Sequence, residues 1–168
     1  MSINLREGLN QMWSVVEIIL GFLLIICTLT IHSIGMYTVM HRFELNWPVF
    51  LNEENEFRRQ FYFGHLVVMM LLTHILEVFL IALVLDGIHA FHNLRTAFYF
   101  TGETYTTLGF GDILLPPGWR QLALFIAMSG LFAFGWSTGV LVSIVGKTYE
   151  AQFSNLRKPK QAEKTIDN

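Results

Sequence analysis

The sequence predicts an all-helical membrane protein, and three observations support this prediction. First, 53% of the 168 residues are hydrophobic and only 14% are charged, with a mean hydropathy of +0.47. A soluble domain normally carries about 25% charged residues. Second, three apolar runs are each long enough to cross a bilayer, which takes about 20 residues. Third, a short, polar, glycine-rich stretch separates the second run from the third.

The three predicted spans cover residues 13 to about 37, about 66 to 85 and about 119 to 145. The first run is longer than the roughly 7–15-residue core of a secretory signal, and no small-residue cleavage pattern follows it, so we expect a retained span. Residues 93–106 are too few to cross a bilayer and lead directly into the glycine-rich stretch. We therefore expect a re-entrant helix there.

The charged residues divide the rest of the chain and suggest an orientation. Residues 1–40 form an N-terminal segment with the first span, 41–64 a connector, 65–147 a central unit and 148–168 a short tail. The connector is polar but rich in aromatic residues, which predicts either partial burial at the membrane surface or a solvated connector with aromatic anchors. Its basic residues and those of the tail fall on the same side, so we expect the N-terminus outside and the C-terminus in the cytoplasm. The expected location is a cell membrane, specifically a bacterial inner membrane.

The glycine-rich stretch reads E-T-Y-T-T-L-G-F-G-D at residues 103–112. Backbone without helical pairing is tolerated at membrane depth only when it is buried in protein or lines water. Gly109 and Gly111 permit backbone conformations that other residues resist, so this stretch can align carbonyl oxygens along a narrow path.

This string, lying between two spans and after a short helix, closely resembles the selectivity-filter signature of potassium channels, Thr-x-Gly-(Tyr/Phe)-Gly-Asp. The resemblance covers residues 66 to 146 and implies that 65–147 is a pore domain of outer helix, re-entrant pore helix, filter and inner helix. It implies K⁺ binding by the carbonyls of Thr107, Leu108, Gly109 and Phe110 and by the Thr107 hydroxyl, with Gly111 completing the filter. Rings of carbonyls around an ion require four copies, so the expected assembly is a homotetramer, each chain with three further copies of itself in the lipid bilayer.

The resemblance also assigns support roles around the filter. Four copies of Asp112 form a negative ring at the outer mouth, and Glu103 meets Asp112 behind the filter; the alternative for Glu103 is a helix-end residue in contact with water. Tyr99 and Phe100 occupy positions at which aromatic residues typically form a cuff around the filter. Thr106 is also expected to support the filter. Phe110 replaces a tyrosine whose hydroxyl usually bonds to the pore helix, so we predict a less rigid filter.

In the third span, Gly130 matches a gating hinge of these channels, and Gly135 is a second hinge candidate. Glycine weakens a helix locally, although close helix packing explains such glycines equally simply. The residues expected to line the pore, with core packing as the alternative for each, are Leu131, Phe134, Thr138 and Val142.

His74 and Glu77 lie three residues apart on one face of the second span. Ionisable groups inside a membrane are costly, which makes these two a candidate pH-sensing pair, with Glu17 or His32 of the first span as further partners. The alternative is a static hydrogen bond between helices.

The sequence thus predicts a potassium channel subunit that conducts K⁺ passively, without a cofactor. Three alternatives stay open: a weakly selective monovalent cation channel, a subunit of a potassium uptake transporter, and a non-conducting modulatory subunit. No catalytic pattern points to an enzyme, and a net charge of −2 offers no basic surface for nucleic acid. The single cysteine, Cys27, excludes an intrachain disulfide.

Overall fold

A computed structural model of the chain contains four α-helices joined by short segments. They are α1 (Ser2–Asn52), α2 (Glu56–Gly87), α3 (Leu94–Tyr105) and α4 (Leu122–Ile166), with a 3₁₀ turn at Pro117–Trp119 before α4. The structure describes the backbone of residues 2–52 and 55–166 and the side chains of 15–48, 51 and 55–151. No strand occurs within the described backbone, which confirms the all-helical class. The basic side chains predicted for the tail lie outside the described residues.

Side-chain caps explain where the middle helices begin. The Asn55 side chain accepts from the backbone N–H groups of Phe57 at 3.0 Å and Arg58 at 3.4 Å, and it starts α2. The Asn93 side chain accepts from Thr96 N at 2.8 Å and starts α3. Each bond satisfies an N–H that has no partner within the first helical turn.

Among the described residues, three helices are long and apolar enough to cross a membrane: Val15–Pro48, Glu56–Gly87 and Leu122–Ala151. Within the most apolar window of each, only 22–33% of the residues are buried in the chain. Such exposed apolar faces are suited to lipid or to a further protein surface. The prediction of a multi-pass membrane protein with three spans is confirmed.

The first helix is longer than the sequence predicted. The segment 41–64 was expected to be a connector, but α1 continues through Pro48 to Asn52, and α2 begins at Glu56. The aromatic residues of segment 41–64 hold α1 and α2 together, because Phe43 on α1 is buried in a cluster with Leu66 on α2. The Tyr62 hydroxyl also donates to the Arg42 carbonyl at 2.7 Å.

The first helix packs along both α2 and α4. A Cβ atom added at Gly21 would lie 2.3 Å from the Phe125 ring, and one at Gly35 would lie 2.5 Å from the Thr73 side chain. These glycines therefore allow α1 to approach its neighbours closely. Close to the N-terminus of α4, the buried Glu17 side chain accepts a hydrogen bond from the Gln121 N–H. The start of α1 and the start of α4 therefore lie at the same end of the bundle.

Candidate functional site

The segment after α3 has a backbone in which φ changes sign at successive residues. Thr107, Gly109 and Gly111 have φ values of 60°, 52° and 74°, whereas Leu108 and Phe110 are not among the residues with positive φ. Alternation of this kind brings successive N–H groups to one side of the chain. Thr107 carries a side chain in the left-handed region, which costs about 1–2 kcal/mol and requires support from its surroundings.

The support comes from the end of α3. The Leu108 and Gly109 N–H groups both donate to the Glu103 carbonyl, at 2.8 and 3.2 Å. No peptide bond in the described backbone is cis, so the Thr107 and Leu108 carbonyls, which share those peptide units, point away from α3. Every residue from 106 to 112 is exposed in the single chain. The segment therefore presents backbone oxygens on an open side.

Asp112 is held by two hydrogen bonds. Tyr99 donates its hydroxyl to Asp112 Oδ2 at 3.2 Å, and the Ile113 N–H donates to Asp112 Oδ1 at 3.1 Å. The sequence placed Tyr99 in an aromatic cuff around the filter but did not predict its hydrogen bond to Asp112. A separation of 13 residues between Tyr99 and Asp112 gives no signal of a contact. Thr106 Oγ1 donates back to the Gly102 carbonyl at 2.8 Å, and Phe100 is buried against the Phe91 ring.

Glu103 is buried behind the same segment, with 5% of its surface exposed. Burial raises the pKa of this carboxyl, and the nearby Asp112 carboxylate raises it further, while the Phe110 N–H opposes the shift. Within the described part of the chain, Glu103 Oε2 has no hydrogen-bond partner. Burial and the Asp112 carboxylate therefore both disfavour the charged form of Glu103.

The hinge candidates of α4 have different surroundings. Gly130 is buried, and a Cβ atom there would lie 1.9 Å from the carbonyl oxygen of Tyr105 at the end of α3. At Gly135 and Gly139 a Cβ atom would meet nothing within 4 Å among the described atoms. Close packing, one of the two interpretations of Gly130, therefore has a visible cause, and bending at either hinge candidate stays a prediction.

The residues predicted to line the pore are exposed in the single chain. Leu131 is 60% and Val142 65% exposed, and Thr138 is also exposed. Phe134 is 40% exposed, and its ring stacks on the His74 ring with centroids 4.4 Å apart. Part of the Phe134 side chain therefore faces the bundle.

His74 and Glu77 belong to a buried polar cluster that joins all four helices. Glu77 Oε1 lies 2.9 Å from His32 Nδ1 on α1, and Glu77 Oε2 accepts from the Tyr105 hydroxyl at the end of α3. His74 contacts the Tyr105 hydroxyl through Nδ1 at 2.9 Å and Ser137 Oγ on α4 through Nε2 at 3.0 Å. We name these five residues the four-helix cluster.

The cluster matches the sequence prediction only partly. His74 and Glu77 approach each other to 3.7 Å, and His32 is one of the two predicted partners, whereas the other, Glu17, bonds to the Gln121 backbone instead. Tyr105 and Ser137 were missed, because a lone hydroxyl in an apolar run carries no signal of its partner. Static hydrogen bonds between helices are present here, and a response to pH stays a prediction.

Comparison with known families finds one match. A family model described as an ion channel matches residues 61–147, just over half of the chain. No curated protein and no solved structure matches. The matched region runs from the first turns of α2, through α3 and the exposed segment, to the part of α4 that precedes the tail, and α1 precedes it. The chain is therefore a multi-pass membrane protein of the two-transmembrane type of ion channel family, with an additional apolar helix at its N-terminal end.

Proposed function

We propose that this chain is one subunit of a homotetrameric channel that conducts K⁺ passively across a cell membrane. The observation that carries the proposal is the backbone of residues 107–111, whose φ values alternate in sign and whose first carbonyls point away from α3. K⁺ crosses a membrane only where oxygens replace its hydration shell, and rings of backbone carbonyls do so in potassium channels. One chain supplies a single line of oxygens, and fourfold symmetry completes each ring.

In this assembly, Thr107, Leu108, Gly109 and Phe110 contribute the oxygens, and α3 is the pore helix that supports them. Gly111 allows the backbone to continue with positive φ. The exposed faces of the apolar helices are divided between lipid and neighbouring subunits, and Leu131, Phe134, Thr138 and Val142 of α4 line the water-filled path below the filter.

Asp112 forms the negative ring at the mouth of the filter, held in place by Tyr99. A ring of carboxylates concentrates cations, and salt weakens the longer-range part of this effect. Glu103 keeps a proton and faces Asp112 from behind. Neutral Glu103 leaves the mouth with one carboxylate for each subunit and avoids the repulsion between a buried charge and the exposed charge of Asp112.

The orientation follows from charge and from one contact. The basic residues of segment 41–64 and of the tail favour the cytoplasm, which puts the N-terminus outside. The Glu17–Gln121 hydrogen bond holds the start of α1 at the end of the bundle where α4 begins after the filter. Both features agree with a filter that opens to the outside of a bacterial inner membrane.

Purified protein in liposomes with a K⁺ gradient tests the proposal. We expect K⁺ flux that barium blocks and that is absent when Na⁺ replaces K⁺. The variant Gly109→Ala forces a side chain onto a residue with φ of 52° and should abolish flux, whereas Gly118→Ala, with open space and no positive φ, should conduct normally. An absence of flux from a folded wild-type tetramer, or unchanged flux in Gly109→Ala, contradicts the proposal.

A weakly selective cation channel is the second candidate, and Phe110 favours it. Its side chain lacks the hydroxyl of tyrosine and is 67% exposed, so within one chain it braces the filter little. Reversal potentials in mixed K⁺ and Na⁺ separate the two functions. Values near the K⁺ equilibrium potential support strict selectivity, and values close to zero in symmetric total cation support the weakly selective channel.

A further inference from the structure

The four-helix cluster contains three residues of the types that bind transition metals, and each is buried. His32, His74 and Glu77 each offer one ligand atom, and these atoms lie within 4.8 Å of one another. We propose that these three residues form a site for a divalent ion of the zinc class, separate from the conduction path for K⁺. The proposal is independent of which ion the channel conducts.

The ligand atoms lie near the spacing that a zinc-class ion requires. In a tetrahedral site with zinc–nitrogen bonds of about 2.0–2.1 Å, neighbouring ligand atoms lie about 3.3 Å apart. His32 Nδ1 is 2.9 Å from Glu77 Oε1, and His74 Nδ1 is 3.7 Å from Glu77 Oε2. These two distances end on different oxygens of the Glu77 carboxylate, and the three ligand atoms lie within 4.8 Å of one another, so binding of an ion requires the side chains to close by up to about 1.5 Å. Two imidazoles and one carboxylate form a ligand set that zinc commonly accepts.

Ser137 orients both imidazoles toward the proposed ion. Its Oγ lies 3.0 Å from His74 Nε2 and 3.3 Å from His32 Nε2, and the hydroxyl has a donor contact to Met36 Sδ at 3.5 Å. A hydroxyl oxygen has two lone pairs, so it accepts from both Nε2–H groups while donating to sulfur. Both Nδ1 atoms then carry no proton. His32 Nδ1 lies 2.9 Å from Glu77 Oε1, and His74 Nδ1 lies 2.9 Å from the Tyr105 hydroxyl and 3.7 Å from Glu77 Oε2. Histidine ligands usually donate their other N–H to such a partner, which fixes the tautomer.

Two neutral imidazoles leave the cluster short of protons, a deficit that either one more proton or a cation can fill. Its members form a closed ring of five contacts, from Glu77 through His32, Ser137, His74 and Tyr105 back to Glu77. With Glu77 ionised, both imidazoles neutral and the Ser137 hydroxyl donating to Met36 Sδ, three protons serve the five contacts of the ring. A divalent ion removes this deficit because it binds the Nδ1 lone pairs of both imidazoles and a lone pair of Glu77, and its charge offsets the buried carboxylate.

The ion would connect parts of the chain that the family match separates. His32 lies on α1, outside the matched residues 61–147, while His74 and Glu77 lie on α2. The Tyr105 hydroxyl lies 2.9 Å from His74 Nδ1, and Tyr105 is the last residue of α3, two positions before Thr107. A bound ion would therefore fasten α1 to the support of the filter.

Zinc titration of the chelator-treated, full-length protein in detergent tests the proposal. We expect one Zn²⁺ per subunit, a higher unfolding temperature with zinc, and loss of binding in His32→Gln and His74→Gln. The matched control is His41→Gln, because His41 is exposed on α1 and stacks on Tyr37, away from the cluster. Ser137→Ala keeps every ligand but removes the shared acceptor, and it should weaken binding about 10–100-fold.

X-ray absorption of the zinc-loaded wild-type protein keeps the test independent of whether the variants fold. Two imidazoles and at least one oxygen at about 2.0–2.1 Å support the site. Failure of the wild-type protein to bind zinc means that the cluster holds protons only and overturns the proposal. Fewer than two imidazole ligands, or full binding in both His32→Gln and His74→Gln, assigns the zinc to the surface and also overturns it.

Discussion

Replacing Gly130 with alanine tests how α4 meets the end of α3. The new Cβ atom would lie 1.9 Å from the Tyr105 carbonyl oxygen, whereas real Cβ contacts essentially never fall below 3.0 Å. The two backbones must therefore separate by at least 1.1 Å, the difference between these two distances. Overpacking of this kind costs about 1–3 kcal/mol, and the better helix propensity of alanine returns about 1 kcal/mol. The difference is a net loss of about 0–2 kcal/mol, and we expect the upper part of this range, since the obstacle is backbone and not a flexible side chain.

The assay is thermal unfolding of purified protein, followed by K⁺ flux in liposomes. Gly135→Ala is the matched control on the same helix, because its Cβ atom meets nothing within 4 Å among the described atoms. It should be neutral or gain up to about 1 kcal/mol. Flux should also fall in Gly130→Ala, because Tyr105 lies two residues before Thr107. If Gly130→Ala is as stable as Gly135→Ala, the packing argument is refuted. Loss of flux in Gly135→Ala alone, with stability unchanged, would place the hinge at Gly135.

Three further changes probe the filter and α1. The raised pKa of Glu103 means that the folded protein holds the proton of this carboxyl more tightly than the unfolded chain does. The contribution of this proton to stability is therefore complete below about pH 4.3, the pKa of an unperturbed glutamate, and is lost as pH rises through the raised pKa. Glu103→Gln should therefore unfold at a temperature that changes less with pH than that of the wild-type protein, and parallel profiles would contradict the protonated state. Glu17→Ala removes the acceptor for the Gln121 N–H and should lower the free energy of unfolding by about 1.5–3 kcal/mol. Glu17→Gln keeps an acceptor and should cost less. Equal unfolding temperatures for the wild-type protein and Glu17→Ala would show that this contact does not hold α1. Phe110→Tyr adds the hydroxyl that the filter lacks and should slow any inactivation of the K⁺ current, so unchanged kinetics would rule out a role for that brace.

Much of the architecture was predictable because the forces that determine it act locally along the chain. Long apolar runs must form helices in lipid, since no water is available to bond an exposed backbone, and the three spans follow directly. The positive φ values of Gly109 and Gly111 were also predictable, because glycine accepts positive φ, whereas the positive φ of Thr107 was not. The length of α1 was not predictable. Polar residues past position 40 resemble a connector until Phe43 is seen packed against Leu66.

The sequence by itself determined the helical class, the three spans and the segment that interrupts them, because each depends on neighbouring residues and on the polarity of the solvent. Only the tertiary structure decided what α1 does. It packs on both α2 and α4, and it brings His32 to Glu77 across 45 positions of sequence. It likewise decided that Gly130 meets a carbonyl and that Tyr99, not Glu103 alone, holds Asp112. These contacts join residues whose separation along the chain carries no periodic signal, so they become visible only when the helices are packed.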